Sequence, residues 1–75
     1  MILKVEYKTD NIVKYTLKDS IDKVDVGTLD DGTTFINIYK LNRKKDDDFE
    51  TINIKGVNAY LLNDEGKTLQ IFRSR

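Results

Sequence analysis

Three short segments that favour tight turns divide this chain: Thr9-Asp10-Asn11, Asp30-Asp31-Gly32 and Asp64-Glu65-Gly66. Each ends in a residue that tolerates a positive φ, and each lies between segments of alternating apolar and polar residues. This pattern is typical of a three-residue hairpin loop, in which a left-handed residue closes a type I turn. The sequence therefore predicts three successive β-hairpins.

The loop at 9–11 predicts the register of the first hairpin. The apolar residues of its two strands then share one face and pair across it: Tyr7 with Val13, Val5 with Tyr15 and Leu3 with Leu17. A two-residue loop would instead place Lys8 beside Val13, so the alternation favours the longer loop. The outward face carries four lysines, with Glu6 opposite Lys14: Lys4, Lys8, Lys14 and Lys18.

The second hairpin, closed at 30–32, is predicted to be apolar on both faces. One face pairs two sets of aliphatic residues, Val26 with Ile36 and Val24 with Ile38. The other face places Phe35 over Gly27, an arrangement in which a ring restores the packing that a strand glycine lacks. This second face also sets Tyr39 beside Lys23 and Ile21 beside Leu41.

The third hairpin, closed at 64–66, sets Leu61 against Leu69 and Ala59 against Ile71. Its other face then holds Tyr60, Leu62, Gln70 and Phe72. Between the second and third hairpins, residues 42–48 are polar and predict a loop, and residues 49–55 alternate as a further strand. Gly56 marks a bend after that strand, and residues 74–75 predict a flexible tail.

These elements predict one all-β domain over residues 1–75. We expect a small antiparallel barrel or sandwich of six to seven strands in sequential order, closed or nearly closed so that few strand edges remain exposed. With 75 residues such a domain buries only about 60% of the surface of its unfolded chain. Good hairpins or oligomerisation must therefore assist its stability.

The composition excludes several classes of protein. The chain contains no Cys and no His, which removes disulfides, ordinary zinc sites and the usual catalytic bases. Its only serines, Ser20 and Ser74, lie in a turn and in the tail. The acids at 46–50 lack the spacing of a calcium loop and are expected to be solvated. We expect no enzymatic activity, no cofactor, no metal and no small-molecule substrate.

The location of the protein is predicted from the same features. No apolar run approaches the length of a membrane span, and the first residues alternate at once into charge, unlike a signal peptide. The absence of Cys fits the cytoplasm. Abundant Lys, Asn, Ile and Asp are common in proteins of AT-rich genomes, including phages and mobile elements, and predict such an origin.

The charges balance overall but are distributed in blocks. Thirteen acids match thirteen bases, which argues against general binding to polyanions. Residues 33–45 contain four bases and no acid, whereas residues 46–66 contain six acids and one base. Patches of opposite sign favour oriented association with a partner. Pairing between strands can instead bring residues of opposite charge together, such as Asp22 with Lys40, and so neutralise the blocks.

The leading functional hypothesis is a non-catalytic, protein-binding module, such as a phage-encoded accessory or inhibitor protein. The apolar residues on the second faces exceed what a sheet buried on one side needs, and they are the predicted partner-binding residues: Phe35, Tyr39, Leu41, Tyr60 and Phe72. They dock a partner protein, complete a homo-oligomer, or simply fill both sides of a small barrel.

Two alternatives remain open from the sequence. The first is a single-stranded nucleic-acid-binding barrel, in which the outward lysines contact phosphates and the aromatic rings stack on bases: Lys4, Lys8, Lys14 and Lys18. A pI near 6.2 weakens this reading. The second is a structural subunit of a larger assembly.

Overall fold

The computed structural model describes residues 1–74. Within them the chain forms seven strands, and the prediction of an all-β fold with six to seven strands is confirmed. The strands are β1 (Ile2–Thr9), β2 (Ile12–Lys18), β3 (Ile21–Thr28), β4 (Thr34–Lys40), β5 (Glu50–Ile54), β6 (Asn58–Leu62) and β7 (Thr68–Arg73).

The strands form two antiparallel sheets. Sheet 1 has the order β2-β1-β6-β7, and sheet 2 has the order β3-β4-β5. The predicted sequential order is wrong at two places in the described residues, since β2 does not pair with β3 and β5 does not pair with β6. Instead β1 pairs with β6, and β2 lies at the edge of its sheet. Within residues 1–74 the sheets do not close into a barrel, and the arrangement is sandwich-like.

The core lies between the inner faces of the two sheets. Its buried apolar residues are Leu3, Ala59, Leu61 and Phe72 from sheet 1, and Ile21, Ile36, Ile38 and Ile54 from sheet 2. These residues come from β1, β6 and β7 in the first sheet and from all three strands of the second. No residue of β2 belongs to this buried cluster in the described part of the chain, which leaves β2 outside the core.

The two sheets are joined at one corner by the N-terminal residue. The Met1 amino group donates to the Ile21 carbonyl at 2.9 Å, and the Ile21 N–H donates to the Met1 carbonyl at 3.0 Å. The Met1 amino group also lies 3.5 Å from Oδ1 of Asp64. The start of β1 is therefore tied to the start of β3 and to the turn between β6 and β7.

The first hairpin differs from the prediction by one residue. Asp10 and Asn11 both have positive φ, 50° and 65°, and they form a two-residue loop that brings Thr9 opposite Ile12. Two successive positive φ values are the mark of a type I′ turn, whose twist matches that of the strands. The predicted pairs of Tyr7 with Val13 and of Val5 with Tyr15 are wrong.

The actual register pairs Tyr7 with Lys14, Val5 with Thr16 and Leu3 with Lys18. A shift of one residue moves a whole side-chain set to the other face. Leu3, Val5 and Tyr7 of β1 therefore lie on one face of sheet 1, and Val13, Tyr15 and Leu17 of β2 lie on the other. Burial determines which face of β1 carries apolar residues, because Leu3 is fully buried. It places no such requirement on β2, where every residue before Lys18 is exposed.

The second hairpin follows its predicted register. Val26 pairs with Ile36, Val24 with Ile38, Gly27 with Phe35 and Lys23 with Tyr39. Its loop closes as predicted, with Gly32 at φ 87° and the Gly32 N–H donating to the Leu29 carbonyl at 3.0 Å. One predicted pair is wrong: an irregularity between Ile21 and Lys23 places Ile21 opposite Lys40 and not opposite Leu41.

The third hairpin has the predicted loop but not the predicted faces. Gly66 has φ 87°, and Leu62 pairs with Thr68. An irregularity next to Leu61 then leaves Leu69 without a partner, and Ala59 pairs with Phe72 instead of Ile71. This bulge turns Phe72 into the core, where it is 5% exposed.

The segment between β4 and β5 is a loop, as predicted, and Arg43 organises it. The Arg43 guanidinium donates to Oδ2 of Asp22 at 2.8 Å, to the Lys40 carbonyl at 3.0 Å and to the Asp46 carbonyl at 2.9 Å. Asp22 therefore pairs with Arg43, and the predicted pairing of Asp22 with Lys40 is wrong.

The predicted tail is described at its first residue only. The Ser74 hydroxyl donates to the Val57 carbonyl at 2.8 Å and accepts from the Val57 N–H at 3.2 Å. The second tail residue, Arg75, lies outside the described residues.

Candidate protein-binding surface

A row of paired side chains crosses the outer face of sheet 1. The register pairs Leu17 with Lys4, Lys4 with Tyr60, and Tyr60 with Ile71. Residues directly opposite in antiparallel strands point to the same face, so the four side chains form one line across all four strands. Leu17 is 66% exposed and Ile71 44% exposed, while Tyr60 is half-buried.

A second group of exposed side chains extends this row along β2. Tyr15 pairs with Glu6, and Val13 pairs with Lys8. The apolar members of both groups define a surface that we call the outer apolar face: Val13, Tyr15, Leu17, Tyr60 and Ile71. Contiguous exposed apolar residues of this kind mark interaction sites more often than isolated ones do.

The charged groups at the centre of this face are already paired within the sheet. The Lys4 ammonium lies 4.3 Å from the centroid of the Tyr15 ring and 5.9 Å from that of Tyr60. One carboxylate oxygen of Glu6 accepts from the Tyr60 hydroxyl at 2.5 Å, and the other accepts from the Asn58 N–H at 3.3 Å. A partner that covers this face therefore meets charges that already have protein partners, which lowers the cost of removing water from them.

The hydrogen bond to Glu6 also affects the titration of Tyr60. Because the Glu6 carboxylate accepts a bond from the neutral phenol and repels the phenolate, the pKa of Tyr60 is raised above its ordinary value. The phenol is a donor at neutral pH, as a tyrosine of ordinary pKa is, and its hydrogen bond to Glu6 holds the ring in place on the outer apolar face.

The predicted partner-binding residues do not form one surface. The prediction that Phe72 lies on a binding surface is wrong, because the bulge in β7 places it in the core against Ala59. Phe35 and Tyr39 lie on the outer face of sheet 2, and Leu41 follows β4 and is 65% exposed. Of the five, Tyr60 alone lies on the outer apolar face.

Tyr39 is surrounded by side chains of its own sheet and the following loop. Its ring centroid lies 4.7 Å from the Lys23 ammonium, 5.7 Å from the Arg43 guanidinium carbon and 5.4 Å from the Phe49 ring centroid. Partial removal from water and, to a smaller extent, the nearby Asp25 carboxylate raise the pKa of Tyr39. These contacts indicate that Tyr39 holds the loop against sheet 2.

The four lysines predicted to share one face are divided between two faces. Lys4 and Lys8 lie on the outer face of sheet 1, whereas Lys14 and Lys18 pair with Tyr7 and Leu3 and lie on the opposite side. The prediction of a single basic ribbon is therefore wrong, and the cause is the two-residue turn. Lys18 lies 3.5 Å from a carboxylate oxygen of Glu50, which links it to sheet 2.

Sequence reasoning missed four residues of the outer apolar face, namely Val13, Tyr15, Leu17 and Ile71. It assigned the three β2 residues to a buried face because their alternation continues that of β1. The available signal was the dipeptide Asp10-Asn11, since both residue types tolerate positive φ and suit a two-residue type I′ turn. A two-residue turn would have placed these residues on the outer face of the sheet, away from the core.

The remaining surface offers two open depressions. One, of about 360 Å³, is lined by loop and strand residues that include Arg43, Asp48 and Phe49. The other, of about 520 Å³, lies beside the turn after β3 and includes Asp30 and Arg73. Across residues 1–74 no three side chains of the metal-binding types Asp, Glu, His and Cys converge. Nor does that part of the chain contain a helix long and apolar enough to cross a membrane.

Comparison of the chain with protein-family models, with curated proteins and with solved structures found no match.

Proposed function

We propose that this protein is a non-catalytic binding module that docks another protein on the outer apolar face of sheet 1. The observation that carries the proposal is the concentration of large exposed apolar side chains on that face, with Leu17 and Tyr15 66% and 49% exposed. Tyrosine at the centre of a docking surface adds rigid contact area at low cost in side-chain entropy.

The charges support the same proposal. Lys4 and Glu6, at the centre of the face, contact Tyr15 and Tyr60, while Lys8 extends the face toward the turn between β1 and β2. A partner with an apolar centre and an acidic rim on the side of Lys8 is complementary to this arrangement. The composition, rich in Lys, Asn, Ile and Asp, supports an accessory or inhibitor protein of a phage or mobile element.

The test compares the wild type with two single lysine substitutions on the two sheets. Ile71→Lys places a charge on the outer apolar face, and Asn53→Lys places one on the exposed outer face of sheet 2. A protein retained from a source-cell lysate by the wild type is purified and rebound to the wild type, to N53K and to I71K in a calorimeter. We expect I71K to weaken the dissociation constant by at least about tenfold.

Two results would overturn the proposal. One is a purified partner that binds I71K as tightly as the wild type, which would move the binding site elsewhere. The other is a lysate of the source cell from which the wild type retains no protein.

A second candidate function, single-stranded nucleic-acid binding, is favoured by one observation. Lys4 lies between the rings of Tyr15 and Tyr60 on an open sheet face, and a cation beside aromatic rings suits a phosphate flanked by stacked bases. Glu6, hydrogen-bonded to Tyr60, opposes it. The test is the binding of a labelled oligothymidine across a range of salt. Binding that falls steeply with salt and disappears in Lys4→Glu supports this function, and no binding at low salt excludes it.

A further inference from the structure

The edge of sheet 1 that β2 forms is long and regular. The β1–β2 ladder runs without a shift from Leu3 opposite Lys18 to Thr9 opposite Ile12, and no strand of residues 1–74 lies beyond β2. The chain contains no proline, so nothing in β2 removes a backbone donor. Such an edge presents unpaired backbone groups to another strand.

The position of the turn identifies which backbone groups are free. In a two-residue hairpin the residues that flank the loop, here Thr9 and Ile12, exchange both hydrogen bonds, and this alternates along the ladder. Every second residue of β2 from Ile12 therefore bonds to β1. The residues between them direct their N–H and C=O groups away from β1: Val13, Tyr15 and Leu17. Their side chains also belong to the outer apolar face.

We propose that β2 pairs antiparallel with β2 of a second copy of this chain, with Tyr15 on the two-fold axis. Tyr15 then lies opposite Tyr15 of the second copy, and Val13 lies opposite its Leu17. On the other face, Lys14 lies opposite Thr16 of the second copy. This pairing joins the two outer apolar faces into one continuous surface, and it stands whether or not that surface docks a further protein.

The lysines of β2 disfavour the two neighbouring registers. With Tyr15 on the axis, Lys14 faces Thr16 and Lys18 faces Ile12, so no lysine lies opposite another. Centring the pair on Lys14 sets two lysines face to face, and centring it on Thr16 sets Lys14 opposite Lys18. Like charges directly opposite destabilise a strand pair. The register centred on Tyr15 also overlaps the whole of β2, from Ile12 to Lys18.

The surface area of the single chain is consistent with this pairing. Its accessible surface is 5324 Å², whereas a folded monomer of 8.7 kDa is expected to expose roughly 4,700 Å². The excess of about 600 Å² approaches the roughly 800 Å² that each partner contributes to a standard interface. The four large apolar residues of β2 are among the most exposed: Ile12 58%, Val13 45%, Tyr15 49% and Leu17 66%.

Cysteine cross-linking tests the register directly, because the chain has no cysteine of its own. In the proposed pair the two Cα atoms at position 15 lie about 5.5 Å apart, within the range of a disulfide. The two Cα atoms at position 13 are offset by four residues, or about 13 Å. With diamide as oxidant we therefore expect Tyr15→Cys to form a covalent dimer and Val13→Cys to remain monomeric.

Sedimentation equilibrium from low micromolar to near-millimolar concentration tests the association itself. We expect the wild type to reach twice its monomer mass. Val13→Pro removes a free N–H that β1 does not use, and the loss of that bond in both copies should weaken the dimer about tenfold to a hundredfold. Ile71→Lys, which lies on β7 at the other edge of sheet 1, should leave the dissociation constant of the dimer unchanged. Added salt should tighten the dimer, because the two Lys14 side chains lie diagonally about 7–8 Å apart.

Several outcomes overturn the proposal. A wild type that stays monomeric throughout the range refutes it, and so does equal cross-linking of Y15C and V13C. Growth in mass beyond the dimer indicates head-to-tail pairing of β2 with β7, the behaviour of a subunit in an open assembly. A monomeric wild type that still binds a purified partner would refute the dimer and leave the proposed function standing.

Discussion

Replacing Gly27 by alanine is expected to destabilise this protein, although alanine normally stabilises a strand relative to glycine. Gly27 lies opposite Phe35 in the β3–β4 ladder, and the ring of Phe35 covers it. A Cβ atom at position 27 would lie 2.3 Å from Cζ and 2.6 Å from Cε1 of that ring. Carbon atoms in contact are about 3.5–4.0 Å apart, so the ring must move away.

The magnitude follows from two opposing terms. Alanine reduces the freedom of the unfolded chain and contributes about 0.5–1 kcal/mol of stability. Displacing a packed ring costs about 1–3 kcal/mol. We expect a net loss of about 1 kcal/mol, which lowers the melting temperature of a domain of this size by about 4–8 °C.

A double-mutant cycle in urea isolates the contact. In a Phe35→Ala background the added Cβ at position 27 meets no ring, so Gly27→Ala should raise stability by about 0.5–1 kcal/mol. The two substitutions should therefore be coupled by about 2 kcal/mol. Equal effects of G27A in both backgrounds would refute the reasoning, because the cost would then arise in the backbone and not in the ring.

Three further predictions follow from burial, titration and turn geometry. Ile38→Ala, at a fully buried position, should lower the free energy of unfolding by about 2–5 kcal/mol. At a protein concentration low enough to keep the chain monomeric, Leu17→Ala at the exposed edge should change it by less than about 0.5 kcal/mol; similar effects would contradict the assigned core. In alkaline ultraviolet titration Tyr39 and Tyr60 should ionise above the ordinary pKa of 10.0. Because the folded state favours their neutral form, their contribution to stability is complete below pH 10.0 and is lost as pH rises through the raised pKa. Tyr60→Phe should therefore reduce the loss of stability at alkaline pH. Asn11→Gly should raise the urea midpoint, with a gain of up to about 1 kcal/mol, because Asn11 has φ 65°; a lower midpoint would contradict the type I′ turn.

The second hairpin was the most predictable part of the fold. Its loop, its aliphatic pairs and the position of Phe35 over Gly27 all followed from the turn at 30–32 and the alternation of its strands. Local turn chemistry sets the register of a hairpin, and here both strands also bury residues against the core. Local and tertiary preferences therefore agreed.

The first and third hairpins were predictable in position but not in face. A two-residue turn at Asp10-Asn11 and a bulge at Leu69 each shift the register by one residue. Such a shift reverses the two faces beyond it. For this reason Phe72 entered the core, Tyr15 and Leu17 came to the surface, and the candidate site formed around residues other than those expected.

The sequence alone determined where the strands and turns lie, because alternation and turn residues act over a few positions. It also excluded disulfides and ordinary zinc sites, since the chain contains no Cys and no His. Only the tertiary structure decided which strands are neighbours and which faces are buried. The pairing of β1 with β6 gives β1 a hydrogen-bonded neighbour on both sides and leaves β2 at the edge of the sheet. No local signal encodes this choice, because it depends on which faces cover each other across the core.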